Sequence, residues 1–232
     1  MTESLVLGKM TLEVVSDGTW RLDGGMMFGI VPKVLWERVA PADEKNRILM
    51  GLNCLLVRTD RHIVLVDTGL GDVWDEKFRQ IYAPHRPRPL LEQLADRGLH
   101  PEDIDLVINT HLHFDHAGNN TRRQGERVVP TFPRARYVVQ RGEYEHAMAP
   151  NERDRASYRA ITWEPVRESG QLELIEGDEE IVPGVRVVKV RGHNRDLQIV
   201  LLHSEGQTAV FWSDLIPMTP HVQKPVSYTH LT

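Results

Sequence analysis

Thr110-His111-Leu112-His113-Phe114-Asp115-His116-Ala117-Gly118 is the stretch on which the reading of this 232-residue chain turns. Three imidazoles and a carboxylate fall together directly after the apolar run Asp105–Asn109, which reads as a strand. In an extended or looping chain, residues two apart project to the same side, so His111 and His113 can grip one ion. Asp115 and His116, past a turn at Phe114, then point toward a neighbouring position. Imidazole with carboxylate is a borderline-hard donor set that suits zinc, and also manganese, iron or cobalt. A solvated loop with chance histidines would not concentrate such ligands between an apolar strand and small residues.

Outward from that segment, the first third of the chain reads as strands. Leu5–Val15 and Thr19–Leu22 flank a turn expected at Ser16-Asp17-Gly18. Leu52–Val57 and Ile63–Val66 are short apolar runs split by Thr59-Asp60-Arg61, the pattern of a hairpin buried on both faces. Asp72–Tyr82 and Leu90–Arg97 have helical character; the second aligns Leu90, Leu91 and Leu94 and stops at Gly98, a suitable C-terminal cap. Tyr137–Gln140 is a strand, and Gly142–Met148 and Glu152–Ala160 read as helices. Strands then dominate at Leu172–Ile175, Val185–Val190, Leu197–Leu202 and Thr208–Trp212. Strands, helices and strands again imply packed sheets with helices outside, so the expected fold class is α/β, a four-layer αββα sandwich in one domain. A doubly wound parallel fold fits less well, because the second half has too few crossover helices.

Composition narrows the function. Apolar residues make up 41% of the chain, an ordinary globular share. The 33 acidic residues outnumber the 28 basic ones, for a net charge of −5, which disfavours a general nucleic-acid binder. No apolar run approaches the roughly 18 residues of a membrane span. Met1-Thr2-Glu3-Ser4 has no basic stretch before an apolar core, so no secretory signal is visible. The single cysteine, Cys54, excludes an internal disulfide framework and suits a reducing compartment, so the expected location is cytoplasmic.

His111-x-His113-x-Asp115-His116 resembles the signature of the metallo-β-lactamase superfamily of metallohydrolases. Other segments come in the order that resemblance implies. Leu65-Val66-Asp67-Thr68-Gly69 resembles the first motif, in which Asp67 supports the metal loop by orienting a ligand imidazole. Gly192-His193-Asn194 resembles the segment that supplies a third imidazole, and Ser213-Asp214 the aspartate that bridges two metals. Met26-Met27-Phe28-Gly29 through Trp36, and Leu215-Ile216-Pro217, are similar to the branch holding acyl-homoserine lactonases and organophosphate-type hydrolases. After His193 the chain reads Asn194-Arg195-Asp196-Leu197-Gln198, where many relatives have Thr-Pro-Gly-His. The family's last histidine follows the bridging aspartate by some tens of residues. Here His221 and His230 are the only histidines beyond Asp214, and neither sits in that context. Residues 225–232 carry no strand or capping pattern and are expected to be a non-native tail on a truncated frame. The last strand and helix would then be missing, and the second metal site incomplete.

The resemblance implies two zinc sites: one from His111, His113 and His193, the other from Asp115, His116 and bridging Asp214. A metal-activated hydroxide would attack the substrate, and Asp115 would pass a proton to the leaving group. The expected substrate is a small lactone, ester or related acyl or phosphoryl compound. The expected partners include no nucleic acid and no membrane, and a homodimer stays open. Met26, Met27 and Phe28, set among glycines, are candidates for a flap over an apolar substrate or for an ordinary buried turn; His221 is a further candidate substrate contact. The competing readings are a glutathione-thioester hydrolase of the glyoxalase II type and a metal-binding protein without turnover. Arg122, Arg123, Arg127, Arg134 and Arg136, with Glu126 among them, read as a solvated surface. His62, His85, His100, His146 and His203 read as structural or exposed, and Tyr144 and Trp163 as core.

Overall fold

A computed structural model of the chain describes residues 4–223. Residues 225–232, including His230, lie outside the described residues, and so does the expectation placed on them.

Strands β1 (Ser4–Leu7) and β2 (Met10–Asp23) pair antiparallel. The turn expected at Ser16-Asp17-Gly18 does not reverse the chain. β2 runs through it, with a register shift between Ser16 and Thr19 against β3 (Arg47–Arg58). The reason is the Asp17 side chain, which turns into the core. Its carboxylate accepts the N–H groups of Leu70, Gly71 and Leu90, the Asn119 amide at 3.0 Å and the Arg86 guanidinium at 2.7 Å. Between β2 and β3 lie two short helices, α1 (Gly24–Phe28) and α2 (Lys33–Trp36). Asp23 caps α1, accepting from Gly25 N–H at 2.8 Å. The Met26-Met27-Phe28 segment is therefore helical.

β3 and β4 (Ile63–Val66) form the expected hairpin. Helix α3 (Glu76–Tyr82) starts at its Asp75 cap, and α4 (Leu90–Ala95) buries Leu90 and Leu94 before the chain reaches Gly98 at φ 70°. β5 (Leu106–Ile108), α5 (Phe114–Ala117), the ribbon of β6 (Thr121–Gln124) and β7 (Arg127–Pro130), β8 (Arg136–Gln140) and α6 (Arg141–Met148) follow. The helix expected over Glu152–Ala160 is a run of turns instead. Its backbone bonds outward: Ser157 C=O accepts Phe114 N–H, and Tyr158 bridges His113. Helix α7 (Glu164–Glu168) then precedes β9 (Leu172–Ile175), β10 (Glu179–Val182), β11 (Val185–Val190), β12 (Leu197–Ser204), β13 (Gln207–Phe211) and α8 (Thr219–Gln223).

The larger sheet has the order β1-β2-β3-β4-β5-β8-β9, antiparallel as far as β4 and parallel beyond it; the smaller is β10-β11-β12-β13, all antiparallel. Strand alternation divides β4 between two cores. Val64 and Val66 face Val185, Val187, Val200 and Leu202 of the smaller sheet. Leu65 faces Leu90 and Leu94 of α4 and Val166 of α7. Sheet packs on sheet with helices on the outside of the larger one, which is the expected α/β sandwich.

The parallel pairing of β4 and β5 has a direct consequence for the site. Their C-terminal ends lie side by side, so Asp67 and Thr110 leave the sheet at one rim. Behind that rim the loops touch backbone to backbone. A Cβ at Gly118 would meet the Leu70 carbonyl oxygen at 1.9 Å, so only glycine fits there.

Removing the Asp17 carboxylate leaves five donors without their acceptor and the Arg86 charge without its buried partner. Asp17→Ala is expected to cost about 3–5 kcal/mol in urea unfolding. Removal of the exposed Arg141–Glu176 pair should cost no more than about 1 kcal/mol.

Candidate metal centre

Asp67 sits at the end of β4, buried, with its backbone in the left-handed region at φ 58°. A non-glycine residue there is held by its surroundings. Its N–H bonds Ile108 C=O, and its carboxylate accepts Thr110 N–H at 2.8 Å and the Thr110 hydroxyl at 2.8 and 3.0 Å. Once Thr110 Oγ1 donates to Asp67, the same oxygen can accept from His111 Nδ1 at 3.0 Å. That assignment turns the Nε2 lone pair of His111 toward the rim. Asp67 Oδ2 also accepts His116 Nδ1 at 2.9 Å, which presents His116 Nε2 in the same way. One carboxylate therefore sets the tautomer of two imidazoles.

Phe114 locks the segment from its other side. Its ring meets Trp20, Phe78 and Tyr82 at centroid distances of 5.4, 5.0 and 5.0 Å, and it belongs to their buried cluster. With that ring fixed inward, His113 and Asp115 on either side face out of the cluster.

His193, in the turn between β11 and β12, brings Nε2 to 2.9 Å from His113 Nδ1. Asp214 follows Ser213, whose backbone is left-handed at φ 49° and whose hydroxyl lies 2.7 Å from Thr110 Oγ1. Asp214 Oδ2 is 3.4 Å from His193 Nε2 and 4.0 Å from His111 Nε2, while its Oδ1 is 3.3 Å from His116 Nε2. Asp115 Oδ2 approaches His116 Nε2 at 3.5 Å. Two groups of ligand atoms result, His111-His113-His193 and His111-His116-Asp214, each within 4.8 Å.

The electrostatics separate the two groups. Burial first, and neighbouring imidazoles second, hold His111 and His113 well below the usual histidine range, so both are neutral. His111 Nε2 and His113 Nε2 are buried with no hydrogen-bond partner among the described residues. Neutral, desolvated imidazoles of this kind fit a divalent cation. Burial would also lower His116, but Asp214, Asp115 and Asp67 outweigh it and raise the group well above its ordinary value. Burial would raise Asp214; His116 and His193 outweigh it and hold the carboxyl well below the usual range.

The centre opens into a cavity of about 400 Å³. Its lining combines His113, His116, His193, Asp115 and Asp214 with the apolar Trp20, Leu22, Met26, Met27, Met50 and Leu52. Phe28 is stacked on Trp36 at 5.3 Å and packs against His221. His221 Nε2 lies 3.1 Å from the Met27 carbonyl oxygen. Tyr144 and Trp163 pack edge to face in a buried cluster, and His146 pairs with Asp154 at 2.7 Å.

Sequence reasoning assigned no role to Thr110, Glu143, Tyr158 or Asn194. Thr110 bonds both Asp67 and His111, and a threonine immediately before the first histidine was its only signal. Glu143 left a clearer one: it shares a helix face with Ala147, four residues on, in a segment that also supplies Tyr144 to the core.

The chain matches the metallo-beta-lactamase superfamily over residues 49–230, and it belongs to that superfamily. It is 32% identical over 170 residues to an N-acyl homoserine lactonase of Bacillus cereus, a match covering 69% of this chain and 61% of that protein. The chain thus spans about three fifths of that relative's length. Among solved structures it is similar to a probable metal-dependent hydrolase from Staphylococcus aureus, 32% identical, with a TM-score of 0.86 over 94% of this chain and 77% of that one. It is also similar to an N-acyl homoserine lactone hydrolase with the product N-hexanoyl-L-homoserine bound at its catalytic metal centre. That likeness is 25% identical, with a TM-score of 0.64 over 87% of this chain and 72% of that one.

In the metal-free protein His116 is expected to titrate above the ordinary value of 6.5. Its folded pKa exceeds its unfolded one, so its proton stabilises the fold fully below pH 6.5 and that contribution fades as pH rises through the raised value. Asp67→Asn removes one of the three carboxylates and should move the titration down, as read by imidazole resonances in NMR.

Proposed function

We propose that this chain is a metal-dependent hydrolase acting on lactones, with zinc held by His111, His113 and His193 on one side and by Asp115, His116 and Asp214 on the other. One observation carries the reading: the two oxygens of Asp214 face different imidazoles, His193 and His116, as a carboxylate shared by two ions requires. The relatives named N-acyl homoserine lactonase support the substrate class.

Bound there, divalent ions supply Lewis acidity and lower the pKa of water toward neutrality. The remaining work falls to the chain. Asp67 and Thr110 keep Nε2 of His111 and His116 aimed at the rim, so these ligands need no reorganisation when a substrate arrives. Asp115, whose carboxylate reaches the cavity beside His116, holds the proton that passes to the leaving oxygen when the ring ester opens. Met26, Met27, Met50 and Leu52 exclude water from the apolar part of the lining and accept an apolar substituent of the substrate. Met26 is half exposed within that lining, and its unbranched thioether chain adapts to such a group. Cys54 is buried, and burial pushes its thiol well up, so it stays an inert thiol. A lone inert thiol suits the reducing cytoplasm, where we place the protein.

Replacement of His111 by alanine should remove most bound zinc and, with it, lactone hydrolysis. Elemental analysis beside a pH-stat assay checks both. Bound metal in the unsubstituted protein without turnover on lactones, aryl esters or phosphotriesters would favour a binding protein over an enzyme.

The apolar part of the lining predicts a chain-length dependence. Each methylene buried on the substrate is worth roughly 0.8 kcal/mol at most, or about fourfold in kcat/KM. Met27→Ala should flatten that dependence across a series of N-acyl lactones; an already flat profile would show that these residues only pack the core.

A further inference from the structure

Glu143 lies on α6, almost fully buried at 1% exposure, and it does not line the cavity described above. Its carboxylate accepts three hydrogen bonds, each from a neutral donor. Oε1 takes Leu112 N–H at 2.9 Å and the Tyr158 hydroxyl at 3.1 Å; Oε2 takes the Asn194 amide at 2.9 Å. Leu112 stands between His111 and His113, and Asn194 follows His193 directly. Tyr158 sets its ring edge-on to His113 at 4.8 Å, and its backbone bridges the same residue. These contacts bring together segments separated by 31 and 51 residues in the chain.

A buried carboxylate with no basic side chain among its hydrogen-bond partners is costly, because burial disfavours its charged form. Burial accordingly pushes Glu143 up to about 7, against the hydrogen bonds from Leu112 and Tyr158. Neighbouring Tyr144 and Ala147 show that an apolar side chain could pack at this level of the helix. The carboxylate does what no apolar group could: it accepts from both ligand segments at once.

We propose that Glu143 is a positioning residue that clasps the His111–His113 segment to the His193 turn and so sets the spacing of the three imidazoles. The inference rests on reading those histidines as ligands of one ion. Without the clasp, the His193 turn loses the hydrogen bond that ties it to Leu112 through α6, and the three nitrogens lose their common distance.

The test compares zinc affinity, by competition with a chelator, and the visible spectrum of the cobalt-loaded protein across the natural chain, Glu143→Ala, Glu143→Gln and Asn194→Ala. Thermal unfolding of the metal-free forms is measured alongside. Glu143→Ala should weaken zinc binding by about 10–100-fold, the usual range for a group that orients a ligand. Its cobalt bands should shift and lose intensity. Glu143→Gln should restore most of the affinity: its carbonyl still accepts from Leu112 and Tyr158, and its amide can donate to Asn194 Oδ1, which is buried without a partner among the described residues. Asn194→Ala should weaken binding less than Glu143→Ala, and the double variant should be no worse than Glu143→Ala alone, since both act through one contact.

A Glu143→Ala protein that melts earlier when metal-free, yet binds zinc and colours with cobalt like the natural chain, would overturn the proposal and leave the ligand reading standing. If Glu143→Ala does not fold, natural affinity in Asn194→Ala overturns it just as well. A natural chain that holds no zinc would defeat the ligand reading, and the clasp with it.

Discussion

A buried aspartate holds two histidines in place, and most of the rim depends on it. Asp67 accepts from the backbone and hydroxyl of Thr110 and from His116, two positions that lie 43 and 49 residues away. A carboxylate in that setting is expensive unless its lone pairs are filled, and here they are filled by groups that the site itself uses. The left-handed backbone at Asp67 is the local cost of aiming the side chain back across the end of β5. The parallel register of β4 and β5 makes this reach short enough for hydrogen bonds.

The layers around that rim divide the labour. The core between the two sheets is aliphatic and carries the strand ends to a common edge. Beside it, the aromatic cluster of Trp20, Phe78, Tyr82 and Phe114 grips the histidine-rich segment through a single ring. Edge-to-face packing at these distances fixes orientation as well as position, because the ring quadrupoles favour particular angles. Asp17 supplies a second buried acceptor, joining the irregular part of β2 to the loops behind the site through Leu70, Gly71 and Asn119. Asn119 in turn donates to Thr68 C=O at 2.5 Å, next to Asp67. Two buried carboxylates, Asp17 and Asp67, thus hold one loop from opposite ends.

The charges at the rim are arranged in opposition. Burial favours the neutral form of three imidazoles, while three surrounding carboxylates favour the charged form of the fourth, His116. The geometry also pairs His116 with Asp214, Nε2 to Oδ1 at 3.3 Å.

Much of this was legible in the residues themselves. The strands of the first hairpin, the α4 face with Leu90 and Leu94, and the spacing of His111, His113, Asp115 and His116 are local patterns, set by side-chain alternation and helix period over a few positions. The order of the motifs likewise indicated the superfamily, to which the chain does belong. Where local pattern misled, a distant partner had claimed the backbone or the side chain. Ser16-Asp17-Gly18 reads as a turn, yet Asp17 is drawn inward by donors 53 to 102 residues away. Glu152–Ala160 has helical composition, yet the Ser157 carbonyl accepts from Phe114 and Tyr158 bridges His113 in the histidine segment. Which oxygen of Asp214 meets which imidazole, and that Glu143 joins Leu112 to Asn194, follow from no spacing in the chain. Ligand identity is a property of residue type, visible in order along the sequence; ligand geometry is a property of hydrogen bonds between segments that only the folded sheets bring within reach.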